Sequence, residues 1–138
     1  NHRIQVFDLD LNFVRSIGSR GKGRGEFDAP YDVKFDTAGN MYVAEFGNER
    51  VQVMDTSGHF IRVFFQKGEG KLRWPSGLHV ADKYVYVSDL SGNCIVVYET
   101  SGQSGQKEGE FRGPRCITSC VDGFIHVCDY RNNRVQIF

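Results

Sequence analysis

The sequence has 138 residues, a length typical of one domain, with 40% hydrophobic and 25% charged residues. Seventeen lysine and arginine residues balance 17 aspartate and glutamate residues, which argues against a strongly basic nucleic-acid module or an acidic tail. No run approaches the ~20 apolar residues of a transmembrane helix, and an aromatic content of 13% argues against disorder.

The chain opens with two short segments rich in β-branched and aromatic residues, at 3–7 and 13–17, which predict strands. It begins at Asn1 without an initiator methionine or a signal peptide. We therefore expect the sequence to be a piece of a longer protein.

Three sequence marks then recur in one register. The first mark resembles Arg-Val-Gln-Val. Its first position falls at Arg3, Arg50, Cys94 and Arg134, which are 47, 44 and 40 residues apart. The second is a Tyr-Val-type strand at 41–45, 85–89 and 125–129, and the third is an aromatic or leucine residue three positions before Pro30, Pro75 and Pro114. Units of this length with four short strands are typical of β-propeller blades.

The repeat divides the chain, with the strands of a blade labelled a to d from the axis outward. Residues 1–29 hold strands c and d of one blade, 30–74 and 75–113 are two blades, and 114–138 hold strands a to c of a last blade. The fold class is all-β, with about three blades of four antiparallel strands. No apolar residue lies between Tyr98 and Phe111, so we predict a short or absent outer strand in the third unit.

A carboxylate ends the second strand of each unit, at Glu45, Asp89 and Asp129. Such acids could bind a metal or act in acid–base catalysis. Alternatively, each accepts backbone N–H groups of the adjoining turn or pairs with the residue five positions later. That residue is Arg50 or Arg134 in two units and Cys94 in the third, so we favour the structural role and expect no such pair at Asp89.

Cysteine and histidine residues do not form a recognisable site. The four cysteines are Cys94, Cys116, Cys120 and Cys128, and they lack the Cys-x-x-Cys spacing of zinc sites. We interpret them as small apolar residues. Their thiols are expected to be free, which indicates a reducing, cytoplasmic compartment. His79 aligns with Lys34 and Thr118 on the innermost strand, where it either lines the central channel or is a tolerated polar residue. We predict no metal, no cofactor and no catalytic set.

The loops between strands d and a and between b and c emerge on one rim of the predicted disk, and they carry more basic residues than the opposite rim. Aromatic residues accompany them, although such rings can also pack between blades. We interpret Trp74, directly before Pro75, as a candidate for the core. The candidate binding residues on this loop face are Arg20, Lys22, Arg24, Tyr31, Phe46, Lys71, Arg73, Tyr130 and Arg131.

These repeated segments resemble the NHL repeat. That family has a proline before the inner strand, a hydrophobic-Tyr-Val-Ala-Asp strand, and an Asn-Arg-Ile-Gln-Val-Phe strand followed by Asp-x-x-Gly. The nearest match to the triplet that names it is Asn1-His2-Arg3. The resemblance covers nearly the whole chain and implies a β-propeller, commonly six-bladed, of which this chain would form about half. It is most similar to the C-terminal propellers of tripartite-motif proteins.

This resemblance implies a non-catalytic recognition platform for protein partners. In such parent proteins the propeller selects substrates for a RING-type ubiquitin ligase. Basic and aromatic groups on the loop face suit single-stranded RNA or a stem-loop as an alternative ligand. Some NHL-type propellers resemble amidating lyases with zinc-binding histidines, and we see no matching histidine set. We expect no membrane association, and we expect the missing blades to come from the same parent chain or a second copy.

Overall fold

The structure is a computed structural model that describes residues 1–65, 72–81, 83–101, 104–106, 111–121 and 123–138. The described residues form short antiparallel sheets that follow one another along the chain. The first sheet pairs β1 (Ile4–Phe7) with β2 (Phe13–Ile17), which correspond to strands c and d of a blade. A short parallel pair follows, between β3 (Ser19–Arg20) and β4 (Glu26–Phe27), which the repeat pattern does not predict.

The second sheet is a complete four-stranded blade. Its order is β5 (Pro30–Phe35), β6 (Met41–Glu45), β7 (Arg50–Met54) and β8 (Phe60–Phe65). The third sheet consists of β9 (Pro75–Ala81), β10 (Tyr84–Asp89), β11 (Cys94–Glu99) and β12 (Ser104–Gln106). The last has β13 (Pro114–Ser119), β14 (Ile125–Asp129) and β15 (Arg134–Ile137), with a 3₁₀ turn at Tyr130–Asn132.

The outer strand of the third blade is short, as three residues of β12 pair with Val96, Val97 and Tyr98 of β11. The segment between Tyr98 and Phe111 therefore forms an outer strand although it has no apolar residue. Backbone hydrogen bonds build this ladder, and they do not require an apolar side chain. The rest of that segment, apart from Glu99, Thr100 and Ser101, lies outside the described residues.

The innermost strand of each blade begins at the repeated proline. Pro30, Pro75 and Pro114 are the first residues of β5, β9 and β13, where a missing N–H is tolerated. The register of the neighbouring ladder shifts just after each proline. Such bulges bend the strand and re-aim the residues beside them, so each innermost strand is irregular where it meets the preceding loop.

Neighbouring blades pack face to face through apolar side chains. Between the second and third blades lies the largest core cluster, in which Tyr42, Val51 and Val53 meet Leu78 and Val87. A second cluster joins Ile4 and Val6 to Met41 and Val43, and a third joins Ile95 and Val97 to Val127. Each strand thus places alternate residues on the two faces of its sheet, and both faces of the internal blades are buried.

Within the described residues, no helix is long and apolar enough to cross a membrane.

Candidate binding surface

The carboxylate of Glu45 is fully buried and organises the loop before the second blade. Its oxygens accept hydrogen bonds from Arg50 Nε at 2.7 Å, from Gln52 Nε2 at 2.7 Å and from the backbone N–H of Asp28 at 3.1 Å. Arg50 also donates to the carbonyls of Lys22, Gly23 and Glu26. This network ties the loop to strands β6 and β7.

Asp129 repeats this arrangement in the last blade. It accepts hydrogen bonds from the Arg112 N–H at 2.7 Å, Arg134 Nε at 2.8 Å and Gln136 Nε2 at 2.9 Å. Burial alone would raise the pKa of the Asp129 carboxyl, but these hydrogen bonds, with one from Asn132, outweigh it and lower the pKa. The ionised form is therefore the one that the fold stabilises.

Asp89 also anchors its loop, and it does so through hydrogen bonds from backbone N–H groups. Its carboxylate accepts the N–H groups of Arg73, Trp74, Ser91 and Gly92 at 3.0–3.1 Å. Cys94 stands where the other blades have arginine, and no ion pair at Asp89 is found among the described residues. Nor do the described residues contain a group of three histidine, cysteine or acidic side chains that could hold a metal ion. All three carboxylates act as anchors for loops.

Because the anchors fix the loops, residues at three repeat positions contribute to one surface. The positions are the residue before the proline (Trp74), the residue after it (Tyr31 and Arg115) and the residue after the carboxylate (Phe46, Leu90 and Tyr130), whereas Ser76, which follows Pro75, is buried. A backbone hydrogen bond joins the first and third positions, from Phe46 N to Ala29 O at 3.1 Å and from Leu90 N to Trp74 O at 3.0 Å. The side chains at these positions differ between the blades, whereas this backbone hydrogen bond recurs.

Three aromatic rings lie in a row at these positions. The ring centroids of Tyr31 and Phe46 are 5.7 Å apart, and those of Phe46 and Trp74 are 5.3 Å apart, each pair tilted by 31°. Tyr31 is 53% exposed and Trp74 is 46% exposed. The interpretation of Trp74 as a core residue is therefore wrong: its backbone N–H is held by Asp89, and its ring lies on the surface against Phe46.

An arginine–tyrosine pair faces this row. The Arg115 guanidinium lies 4.1 Å from the centroid of the Tyr130 ring, a cation–π contact, and Tyr130 is 57% exposed. Arg131 packs beside Gly113. A groove of about 350 Å³ separates the two sides, and we call it the aromatic groove; it is lined by Tyr31, Phe46, Trp74, Leu90, Ser91, Asn93, Arg115, Tyr130 and Arg131.

The basic loop predicted for the same surface lies elsewhere. Lys22 and Arg24 line a different groove, beside the outer strand β8, where the Arg24 guanidinium lies 5.2 Å from the centroid of the Phe60 ring. Arg20 is an exposed residue of β3. Arg73 is exposed next to Trp74, and Lys71 lies outside the described residues. Of the nine predicted binding residues, the aromatic groove contains Tyr31, Phe46, Tyr130 and Arg131.

Sequence reasoning missed Arg115 and the exposure of Trp74. Arg115 follows Pro114 as Tyr31 follows Pro30, so the repeat register relates these two positions. Basic charge alone selects the loop of Lys22 and Arg24, which does not line this groove.

Acidic residues of the opposite rim are used in turns. Asp8 accepts the N–H of Asn12, Asp36 that of Asn40, and Asp55 that of His59, each at 2.8 Å. Hydrogen bonds of this kind lower the pKa of the Asp8 and Asp55 carboxyls, and in Asp36 they outweigh the opposing effect of burial. Asp82 and Asp122 lie outside the described residues.

The cysteine residues and His79 differ in how far they are buried. The cysteines are free thiols, but Cys116, Cys120 and Cys128 are exposed, and of the four only Cys94 packs against a core cluster. Cys116, Cys120 and Cys128 therefore do not pack into a core cluster of the described residues. Cys128 aligns with the buried Ala44 and Ser88, and in this chain it lies on a face that no further blade covers. His79 is half-buried near Tyr86, and burial, with the Lys34 charge, lowers its pKa.

Comparison with known proteins supports the resemblance drawn from the repeats. Residues 111–138 match the NHL repeat family. The human NHL repeat-containing protein 3 is 31% identical over 97 residues, covering 66% of this chain and 26% of that protein. The Protein brain tumor of Drosophila melanogaster is 29% identical over 143 aligned positions, covering 99% of this chain and 14% of that protein.

Solved structures share the fold across the chain. Virginiamycin B lyase from Staphylococcus aureus, as the catalytically inactive H270A form with quinupristin, superposes with a TM-score of 0.70 at 14% identity, covering 99% of this chain and 48% of that one. A chain of a nidogen/laminin complex superposes with a TM-score of 0.75 at 19% identity, covering 99% and 51%. These likenesses concern the fold alone.

The predicted resemblance to NHL-repeat β-propellers and the predicted all-β propeller fragment are thereby confirmed. The chain spans about a quarter to a third of the NHL repeat-containing relatives and about half of the solved propellers that it matches.

Proposed function

We propose that this chain is a non-catalytic recognition platform that binds a protein partner in the aromatic groove. The observation that carries the proposal is the row of Tyr31, Phe46 and Trp74 facing the Arg115–Tyr130 pair on a surface fixed by buried carboxylates. Exposed aromatic and arginine side chains dominate the binding energy of protein interfaces, and a pre-formed surface loses little entropy on binding. NHL propellers in general serve as binding domains for proteins or RNA, which agrees with this role.

Selection from a displayed library of random dodecapeptides on the immobilised chain tests the proposal. Enriched peptides are then titrated by calorimetry against the wild type and two single variants, Arg115→Ala and Tyr130→Ala. Each variant should weaken binding about tenfold or more, whereas the control Arg24→Ala should bind as the wild type does. Binding that survives both groove variants would contradict the proposal.

Single-stranded RNA is the second candidate, because the same rings and Arg115 could stack on unpaired bases. A titration with a pool of random octaribonucleotides separates the candidates. RNA binding in the groove should be weakened by Arg115→Ala and should fall steeply with salt. A protein ligand should show a much weaker salt dependence.

We further propose that the chain is the substrate-recruiting part of a RING-type ubiquitin ligase and acts in the cytoplasm. The first idea rests on the resemblance to tripartite-motif propellers, and the second on four free cysteines. The sequence of the parent gene on both sides of the chain tests the first: an upstream RING motif is expected, and its absence would contradict it. Imaging of the tagged parent protein tests the second.

A further inference from the structure

We propose that the outer strand β8 and the basic loop beside it form a second binding surface, separate from the aromatic groove, which takes an acidic peptide as an added β-strand. We call this surface the edge groove. It has a volume of about 520 Å³ and lies between the loop of Lys22, Gly23 and Arg24 and the strand residues Phe60, Ile61, Arg62 and Val63.

The main-chain part of the surface is the free edge of β8. Among the residues that the structure describes, the sheet order β5-β6-β7-β8 leaves this six-residue strand paired on one side only. An edge strand presents a row of unpaired N–H and C=O groups that can pair with an extended segment of another chain. Ile61 is 47% exposed, so an incoming strand also meets an apolar side chain.

The charged part of the surface is held in place beside that edge. Arg50 and Gln52 fix the loop through the carbonyls of Lys22, Gly23 and Glu26 and the N–H of Gly25. The backbone is thus pre-organised, while the side chains of Lys22 and Arg24 remain exposed. The Arg24 guanidinium over the Phe60 ring joins the loop to the strand.

The positive charge of the groove favours an acidic peptide. Four of the residues that line the groove are positively charged, namely Lys22, Arg24, Arg50 and Arg62, and none of the lining residues described is acidic. Glu45 already neutralises Arg50, and Arg62 donates to the Thr100 carbonyl, so Lys22 and Arg24 are the cations left for a ligand. The Glu26 carboxylate nearby accepts the Gly23 N–H. Because alternate residues of a strand share one face, a peptide with acidic residues at every second position fits best.

The test uses a synthetic heptapeptide of alternating glutamate and valine, titrated into the ¹⁵N-labelled chain and followed by NMR. We expect saturable shifts of the amides of residues 60–63 and of Lys22 and Arg24. The double variant Lys22→Glu/Arg24→Glu should weaken binding at least tenfold, whereas the control Arg20→Glu, in strand β3 just before that loop and outside the groove, should leave it unchanged. N-methylation of alternate peptide residues keeps the charge but blocks strand pairing, and it should also weaken binding at least tenfold.

Three results would overturn the proposal: shifts confined to the aromatic groove, affinity unchanged by N-methylation, or tighter binding of a single-stranded oligouridylate at the same amides. Since Arg115 and Tyr130 line the aromatic groove and do not line the edge groove, Arg115→Ala should not affect this peptide. The proposals for the edge groove and for the aromatic groove can therefore be contradicted independently of each other.

Discussion

At the residue scale, the fold depends on buried carboxylates that are fully hydrogen-bonded. Glu45 and Asp129 occupy equivalent positions and have equivalent arginine partners, but the surroundings differ. The Arg50 side chain is only 9% exposed, whereas that of Arg134 is 50% exposed. An ion pair contributes to stability chiefly when removal of one partner leaves the other buried and uncompensated.

We therefore expect Arg50→Ala to lower the free energy of unfolding by about 3 kcal/mol. The variant leaves the buried Glu45 carboxylate without its charged partner and removes the hydrogen-bond donor of three loop carbonyls. The matched variant Arg134→Ala should cost about 1 kcal/mol or less, since solvent already screens that guanidinium. Urea unfolding followed by circular dichroism measures both values. Equal losses would contradict this account of the anchors.

Acid sensitivity follows from the lowered pKa values of the Asp129 and Asp36 carboxyls. Each group has a lower pKa in the folded chain than the ~3.9 of an unfolded aspartate, so the unfolded state takes up protons first as the pH falls. The stability that these groups provide is complete above about pH 5 and is lost as the pH falls through 3.9 towards the folded values.

Asp129→Asn should consequently be less stable than the wild type at pH 7, and its stability should fall less steeply between pH 5 and pH 2. The urea midpoint measured across this range gives the comparison. Parallel curves for the two proteins would show that Asp129 is not a source of the acid sensitivity.

At the element scale, the third and fourth blades approach each other most closely at their innermost strands. A Cβ atom on Gly77 of β9 would lie 2.0 Å from the Arg115 carbonyl oxygen of β13. Ser88 Oγ donates to the same oxygen at 2.7 Å, so backbone and side chain together close this junction. Only glycine permits that spacing.

Gly77→Ala should therefore destabilise the chain by about 2 kcal/mol or more, because the two blades must move apart. Gly123→Ala is the control: its φ is +83°, and none of the described residues beyond its chain neighbours has an atom within 4 Å of the added Cβ, so only backbone strain of about 1 kcal/mol is expected. Thermal unfolding of both variants measures the difference. A smaller loss for Gly77→Ala than for Gly123→Ala would refute the close approach.

Arginine residues of the outer strands form a second link between blades. Arg15 of β2 donates to the carbonyl of Thr56, and Arg62 of β8 donates to that of Thr100. Both acceptors lie in the turn after strand c of the following blade. These residues align in the repeat, so the same contact joins two successive pairs of blades.

The all-β class and the antiparallel sheets could be predicted from the sequence because the repeat determines both the hydrophobic faces and the turns. The aromatic groove could be predicted only in part. Tyr31 and Phe46 follow repeated marks, but the surface position of Trp74 depends on how Asp89 holds its backbone N–H. The separation of Lys22 and Arg24 from the groove depends on contacts from Arg50 that span 27 and 28 positions of sequence, which local patterns do not encode.

At the scale of the whole molecule, the last blade exposes an apolar face. Val135 and Ile137 are 60% and 61% exposed, although their equivalents Val51 and Val53 in the second blade are buried. Exposed apolar area of this kind favours association. We propose that another blade, from the parent chain or a second copy, covers this face.

The 138-residue chain should accordingly self-associate in sedimentation experiments, and Val135→Lys/Ile137→Lys should shift it toward the monomer. The control Leu9→Lys/Leu11→Lys alters two equally apolar residues that are exposed in a turn, and it should leave the association unchanged. A monomeric wild type, or an equal effect of the control, would contradict this role of the blade face.

The fluorescence of Trp74 tests most directly whether the aromatic groove binds the partner that we propose. The chain contains one tryptophan, which lies in the groove against Phe46, so its emission reports on that surface alone. Titration with a peptide enriched on the chain should change the Trp74 emission saturably, with the same Kd as calorimetry gives. A calorimetric titration that saturates while the Trp74 emission stays constant would place the binding site elsewhere and contradict the account.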